Sequence, residues 1–180
     1  MSPLAYNLVH AVLWQGAWFG AVLGAGHGLF WLGPVTLAPV LGLHLWRHRL
    51  APGCGLATPA AILGLGLVAD LLLVHLAGMR IAGHDGWSAW PQPWMAGLWV
   101  QLATALPASL TWLRGRWPLA VVCGALSGPL AYLGGERFGA LALPEGWWPL
   151  AAISLVWAAA LPLATSIATP RLPRSEPCPC

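Results

Sequence analysis

Five residues in this 180-residue chain could do chemistry in an unusual place: Asp70, Gln101, Tyr132, Glu136 and Arg137. Asp70 stands in the middle of "AILGLGLVADLLLVHLAG", where every neighbour is apolar. A carboxylate at bilayer mid-depth costs about 2.5–3.5 kcal/mol on insertion scales, and such groups mark candidate functional sites. It must face other helices and find a donor, or carry a proton. It could shuttle protons, or simply tie helices together. His75 follows about 140° further round the helix, off that face and near the span end.

Gln101 and Tyr132 are the donors at compatible depth, and Glu136 and Arg137 sit side by side where the fifth apolar segment ends. Together they suggest a polar cleft facing outward. In the fourth segment Gln101, Thr104, Ala105, Ala108 and Trp112 share one helical face. In the first, Asn7, Trp14 and Trp18 align with His10 nearby, and Gln15 lies off that stripe. His44 and His48 flank the cytoplasmic end of the second segment, with Arg47 and Arg49, as a headgroup-facing cluster. No His-Glu-x-x-His, Gly-x-Ser-x-Gly or Asp-rich phosphoryl-transfer motif is present. Pro129 argues against Ser127 as a nucleophile. No metal or cofactor is expected. Cys54, Cys123, Cys178 and Cys180 form no zinc-type pattern and no disulfide framework.

The elements that must position these groups are membrane helices. The chain is 58% hydrophobic, only 7% charged, and contains thirteen tryptophans and no lysine. A soluble domain carries about 25% charged residues and could not cover its surface with so few. Six apolar segments of spanning length can be read: 7–25, 29–46, 58–78, 94–113, 117–134 and 147–168. The expected fold is therefore all-α, a polytopic bundle of six transmembrane helices. Residues 1–169 make the membrane domain, and 170–180 a Pro-rich, disordered tail. The first segment lacks a positively charged leader and reads as a retained span. Three similar helix pairs share no motif, so an inverted-repeat carrier is not indicated.

Arginine placement orients the bundle. Arg47, Arg49, Arg114, Arg116, Arg171 and Arg174 fall on one side, and Arg80 and Arg137 on the other. Six against two puts both termini in the cytoplasm. Trp46, Trp87, Trp90, Trp94, Trp117, Trp147 and Trp148 lie at span ends, as membrane-interface tryptophans do. The arginines are too scattered for a phosphate-binding patch, so no nucleic-acid partner is expected.

Glycines recur every fourth residue in "QGAWFGAVLGAGHG". Gly16, Gly20 and Gly24 would line a contact between helices, since lipid gives no hydrophobic drive and close backbone approach takes its place. Gly26 and Gly28 would form the following turn. Gly124 and Gly128 repeat the device in the fifth segment, where Pro129 should kink the helix.

The stretches "QGAWFGAVLGA", "GLVADLLLV" and "GPLAYLGGERFGAL" resemble those of a family of small bacterial inner-membrane proteins of unknown function. The resemblance covers nearly the whole chain outside the tail. It implies a six-helix-scale bundle with Asp70, Gly128–Pro129, Tyr132 and Arg137 in its characteristic segments, in the bacterial cytoplasmic membrane. It also implies a link to enzymes that modify membrane fatty acids. Two function classes follow. One is a lipid-binding or accessory protein whose partners are membrane lipids or another membrane protein. The other is a membrane enzyme or proton-coupled small-solute carrier using Asp70.

Overall fold

The computed structural model describes residues 2–47 and 52–169. The tail expected to be disordered, with Arg171, Arg174, Cys178 and Cys180, lies outside the described residues, as do His48, Arg49 and the side chain of Cys54.

Six α-helices carry the fold: α1 (Pro3–Gly26), α2 (Leu32–Arg47), α3 (Pro52–Leu76), α4 (Pro93–Ala105), α5 (Trp117–Arg137) and α6 (Trp148–Ala168). Local chemistry sets several boundaries. Ser2 caps α1 by accepting from the Ala5 N–H at 3.2 Å. Prolines stand in the first turn of α1, α4, α5 and α6, where a missing N–H costs nothing. Gly28, at φ 72°, makes the turn between α1 and α2.

Among the described residues four helices are long and apolar enough to cross a membrane: Leu4–Gly26, Leu56–Leu76, Trp117–Arg137 and Trp148–Ala168. With the composition, this marks the chain as a membrane protein. The other two expected spans are shorter as helices. α2 has 16 residues. α4 stops at Ala105 after 13 residues, and the remainder of that apolar segment forms turns and a single 3-10 turn, Thr111–Leu113. Pro107 supplies no N–H to the α4 ladder, and Leu110 N–H instead closes back on Ala105 O at 2.9 Å.

Pro129 does not end α5, which runs on to Arg137. The proline leaves the carbonyl of Ala125, four residues earlier, without its helical donor. Ser154 of α6 fills the vacancy, its hydroxyl donating to Ala125 O at 3.0 Å.

A feature absent from the sequence reading is a small antiparallel sheet, order β2-β1-β3, from β1 (Arg80–Gly83), β2 (Gly86–Ser88) and β3 (Leu141–Ala142). It ties the end of α3 to the end of α5. Gly26, at the end of α1, packs on the backbone of Phe138 and Gly139. The Trp94 indole, at the start of α4, donates to Ala82 O at 2.9 Å. One end of the bundle therefore gathers the ends of α1, α3 and α5 and the start of α4. At the other end Arg47 lies 5.4 Å from the centre of the Tyr6 ring, joining the start of α1 to the end of α2. Successive helices thus alternate in direction. Side by side, α1 packs on α2 and α4, α3 on α4 and α6, and α5 mainly on α6.

Candidate functional site

Asp70 is completely buried. Its carboxylate accepts from the Trp99 indole N–H at 3.1 Å and from the Tyr132 hydroxyl at 3.5 Å, the second a long contact. Both are neutral donors. The group therefore joins α3, α4 and α5 at one point.

Two glycines make this meeting possible. Gly66, one turn before Asp70, leaves room for the Trp99 ring against the α3 backbone; a Cβ there would collide with the indole. Gly128, one turn before Tyr132, holds the Trp157 indole in the same way, a Cβ falling 2.6 Å from its Cγ. The two indoles stack with centroids 4.9 Å apart and planes 12° from parallel. The Tyr132 ring stands edge-on to Trp157 at 6.4 Å. The result is a sandwich of glycine, indole, indole, glycine across α3, α4, α6 and α5, with Asp70 and Tyr132 one turn further along.

Beside this sandwich lies a cavity of about 500 Å³. α1 contributes Trp14 and Trp18, α4 Trp94 and Trp99, and α6 Trp157. Tyr132, Gln101, Ser127 and Cys123 are among its few polar or polarisable neighbours; aliphatic residues supply most of the rest. Leu126 and Leu130 border it although they are 64% and 69% exposed, so its mouth opens sideways at the middle of α5. Asp70 is screened from it by Trp99 and Tyr132.

The five polar residues expected to share a cleft do not converge. Asp70 and Tyr132 meet. Gln101 lines the cavity but turns its amide to α1, donating to the Trp14 carbonyl. Glu136 accepts from the Leu143 N–H at 3.0 Å and so ties the exit of β3 back to α5. Arg137 is exposed at the end of α5. The concavity is apolar rather than polar, because the carboxylates are spent on structural contacts behind or beyond its wall.

The expected packing glycines also divide. A Cβ on Gly20 would fall 2.5 Å from Thr36 Cγ2, and one on Gly24 2.8 Å from Leu32 Cβ, so both lie against α2 or the turn leading to it. Gly124 and Gly128 both face Trp157 on α6. Gly16 differs from that set: nothing in its own chain stands within 4 Å of where its Cβ would be.

A second polar group links α1 to the end of α4. Thr104 donates to Gln101 O at 2.7 Å, so its oxygen accepts from His10 Nε2 at 3.2 Å. That leaves His10 Nδ1 as the acceptor facing Ser109 Oγ, 3.5 Å away. His10 is wholly buried, which suits a helix tie rather than a base open to substrate.

The sequence reading missed Trp99, Trp157 and Gly66. Their signal was present: these tryptophans stand inside apolar segments rather than at the ends, and the Trp99 indole N–H finds its acceptor in Asp70.

Residues 7–163 match the model of a family described as Protein of unknown function (DUF2878). No curated protein matches the chain. No solved structure matches it either.

Proposed function

The chain belongs to that family, whose function is not established, and we propose that it binds the hydrocarbon chain of a membrane lipid, as a lipid-binding or accessory protein for lipid modification. The observation that carries this reading is the aromatic-walled cavity of about 500 Å³ with its mouth between Leu126 and Leu130. That volume falls in the range of about 300–1,000 Å³ typical of ligand sites. Its mouth sits mid-way along a helix long enough to span a bilayer, where the neighbouring solvent is acyl chain. A flexible apolar ligand could enter sideways without crossing water.

The proposed setting is the bacterial cytoplasmic membrane, with six crossings and both termini cytoplasmic. The alternating helix directions support six passes. α2 and α4 are about 24 Å and 20 Å long, at 1.5 Å per residue, so the turns after Ala105 complete the fourth crossing. Leu106, Ala108 and Leu113 in that stretch are buried, as irregular backbone at membrane depth must be. Among the described residues Arg47, Arg114 and Arg116 lie at the end away from the sheet, against Arg80 and Arg137 at the sheet end, which supports the orientation. A carrier or enzyme working through Asp70 is the weaker reading, because Trp99 and Tyr132 stand between that carboxylate and the cavity.

The test is lipid retention. Purified in mild detergent, the protein should carry lipid measurable by mass spectrometry. Ser127→Trp, which fills the mouth, should lower that amount several-fold. Leu155→Trp, exposed on α6 and outside the cavity wall, should not. Equal retention by both variants would overturn the proposal. A lipid profile altered by deletion of the gene would tie the binding to lipid metabolism.

A further inference from the structure

We infer that the chain pairs with a second copy of itself through the outward face of α1, with Gln15 at the centre of the contact. The inference rests on α1 crossing the bilayer and is independent of what the cavity binds.

Leu8, Val12, Gln15, Phe19 and Leu23 follow one another at intervals of four, three, four and four residues. That spacing places them on one stripe of the helix. All five are exposed; the Phe19 ring also meets that of Phe138 edge-on at 6.2 Å, and the stripe from Leu8 to Gln15 faces away from the bundle. Four are apolar and suit lipid. The fifth is an amide at the midpoint of the span Leu4–Gly26, the depth at which neither water nor headgroup can reach it. Among the described residues no hydrogen bond meets the Gln15 side chain. A lone amide in hydrocarbon is costly, and protein donors and acceptors are its only remedy there.

A second copy answers this need better than other occupants. An amide carries both a donor and an acceptor. Two Gln15 side chains facing each other across a two-fold axis therefore satisfy one another, the self-complementarity that a symmetric dimer requires. Gly16, four residues after Val12 and three before Phe19, borders the same stripe, and nothing in its own chain stands within 4 Å of a Cβ built there. Gly20 and Gly24 spend their missing side chains on α2 and its turn. Gly16 alone of the three leaves that space on the outside, where a second α1 could approach.

The experiment uses the full chain in isolated membranes. Gln15→Cys, oxidised, should give a disulfide-linked dimer well above the background from the native cysteines, because the linkage needs Cα atoms within about 7 Å. Val68→Cys, also exposed on a candidate span, should stay at background. Absence of the Gln15→Cys dimer, equal yield from Val68→Cys, or a linked species of any mass other than twice the chain would overturn the inference. Energy transfer between two labelled populations in vesicles supplies the second measurement. Gln15→Leu and Gly16→Ile should each weaken association about tenfold, as loss of interhelical hydrogen bonds or close packing does. The Cβ of Gly16→Ile meets nothing within 4 Å in its own chain, and an unchanged melting temperature in detergent should show that its fold is kept. Unchanged energy transfer in Gln15→Leu would also overturn the inference.

Discussion

Trp99 of α4 and Trp157 of α6 lie face to face, 4.9 Å between ring centroids, each backed by a glycine from a third or fourth helix. The pair is the pivot of the bundle. One indole holds Asp70 through its N–H, and the other supports the ring of Tyr132. Four helices meet here without a charge pair. The cavity beside the stack takes its wall from the same two rings.

The slot for Trp99 should be intolerant of any side chain. Gly66→Ala places a methyl inside the indole's volume, and overpacking of this kind costs about 1–3 kcal/mol. The melting temperature in detergent should fall. Gly64→Ala, on the same helix with nothing within 4 Å, should leave it level or raise it slightly, since alanine is the better helix former.

Asp70 should behave as an acceptor rather than as a charge. Asp70→Asn keeps an oxygen for the Trp99 N–H and an amide facing the Tyr132 oxygen, so the fold should survive with little loss. Asp70→Leu strands two buried donors, at about 1–3 kcal/mol each. Thermal unfolding of the two variants checks this. Equal damage from both would point instead to the negative charge.

Much of this arrangement was legible in the chain. Composition and the six apolar segments gave the helices, and the price of a mid-depth carboxylate required Asp70 to turn inward. Tyr132 was foreseeable as a donor at similar depth. Gln101 was not separable from Trp99, because both lie on the fourth helix and depth alone does not say which side chain faces α3. Only the empty volume at Gly66 decides it, and that is a relation between helices rather than a pattern within one. The early end of α4 and the small sheet were hidden for a similar reason. Hydrophobicity reports depth, but an apolar run ending in "LPASLTWL" is equally apolar as helix or as buried turn.

The α1–α2 contact should depend on Gly20. Leucine there would drive into Thr36, whose hydroxyl already donates to Leu32 O at 2.7 Å. Gly20→Leu should lower the melting temperature or the amount of protein recovered. Gly42→Leu, where a Cβ meets nothing within 4 Å, serves as the matched control.

Pro129 and Ser154 make the most discriminating pair. Proline at 129 removes the N–H that would have bonded Ala125 O, and the Ser154 hydroxyl replaces it from α6. Ser154→Ala alone leaves a part-buried carbonyl without a partner, a loss of about 1 kcal/mol. Pro129→Ala restores the helical donor to the same carbonyl. In that background Ser154→Ala should cost much less, because the acceptor is now served from within α5. The double-mutant cycle, read by thermal unfolding in detergent, should therefore show coupling of about 1 kcal/mol between two residues that are not hydrogen-bonded to each other. Additive effects would mean that the Ser154 hydroxyl contributes by packing alone, and that the Ala125 carbonyl needs no replacement donor.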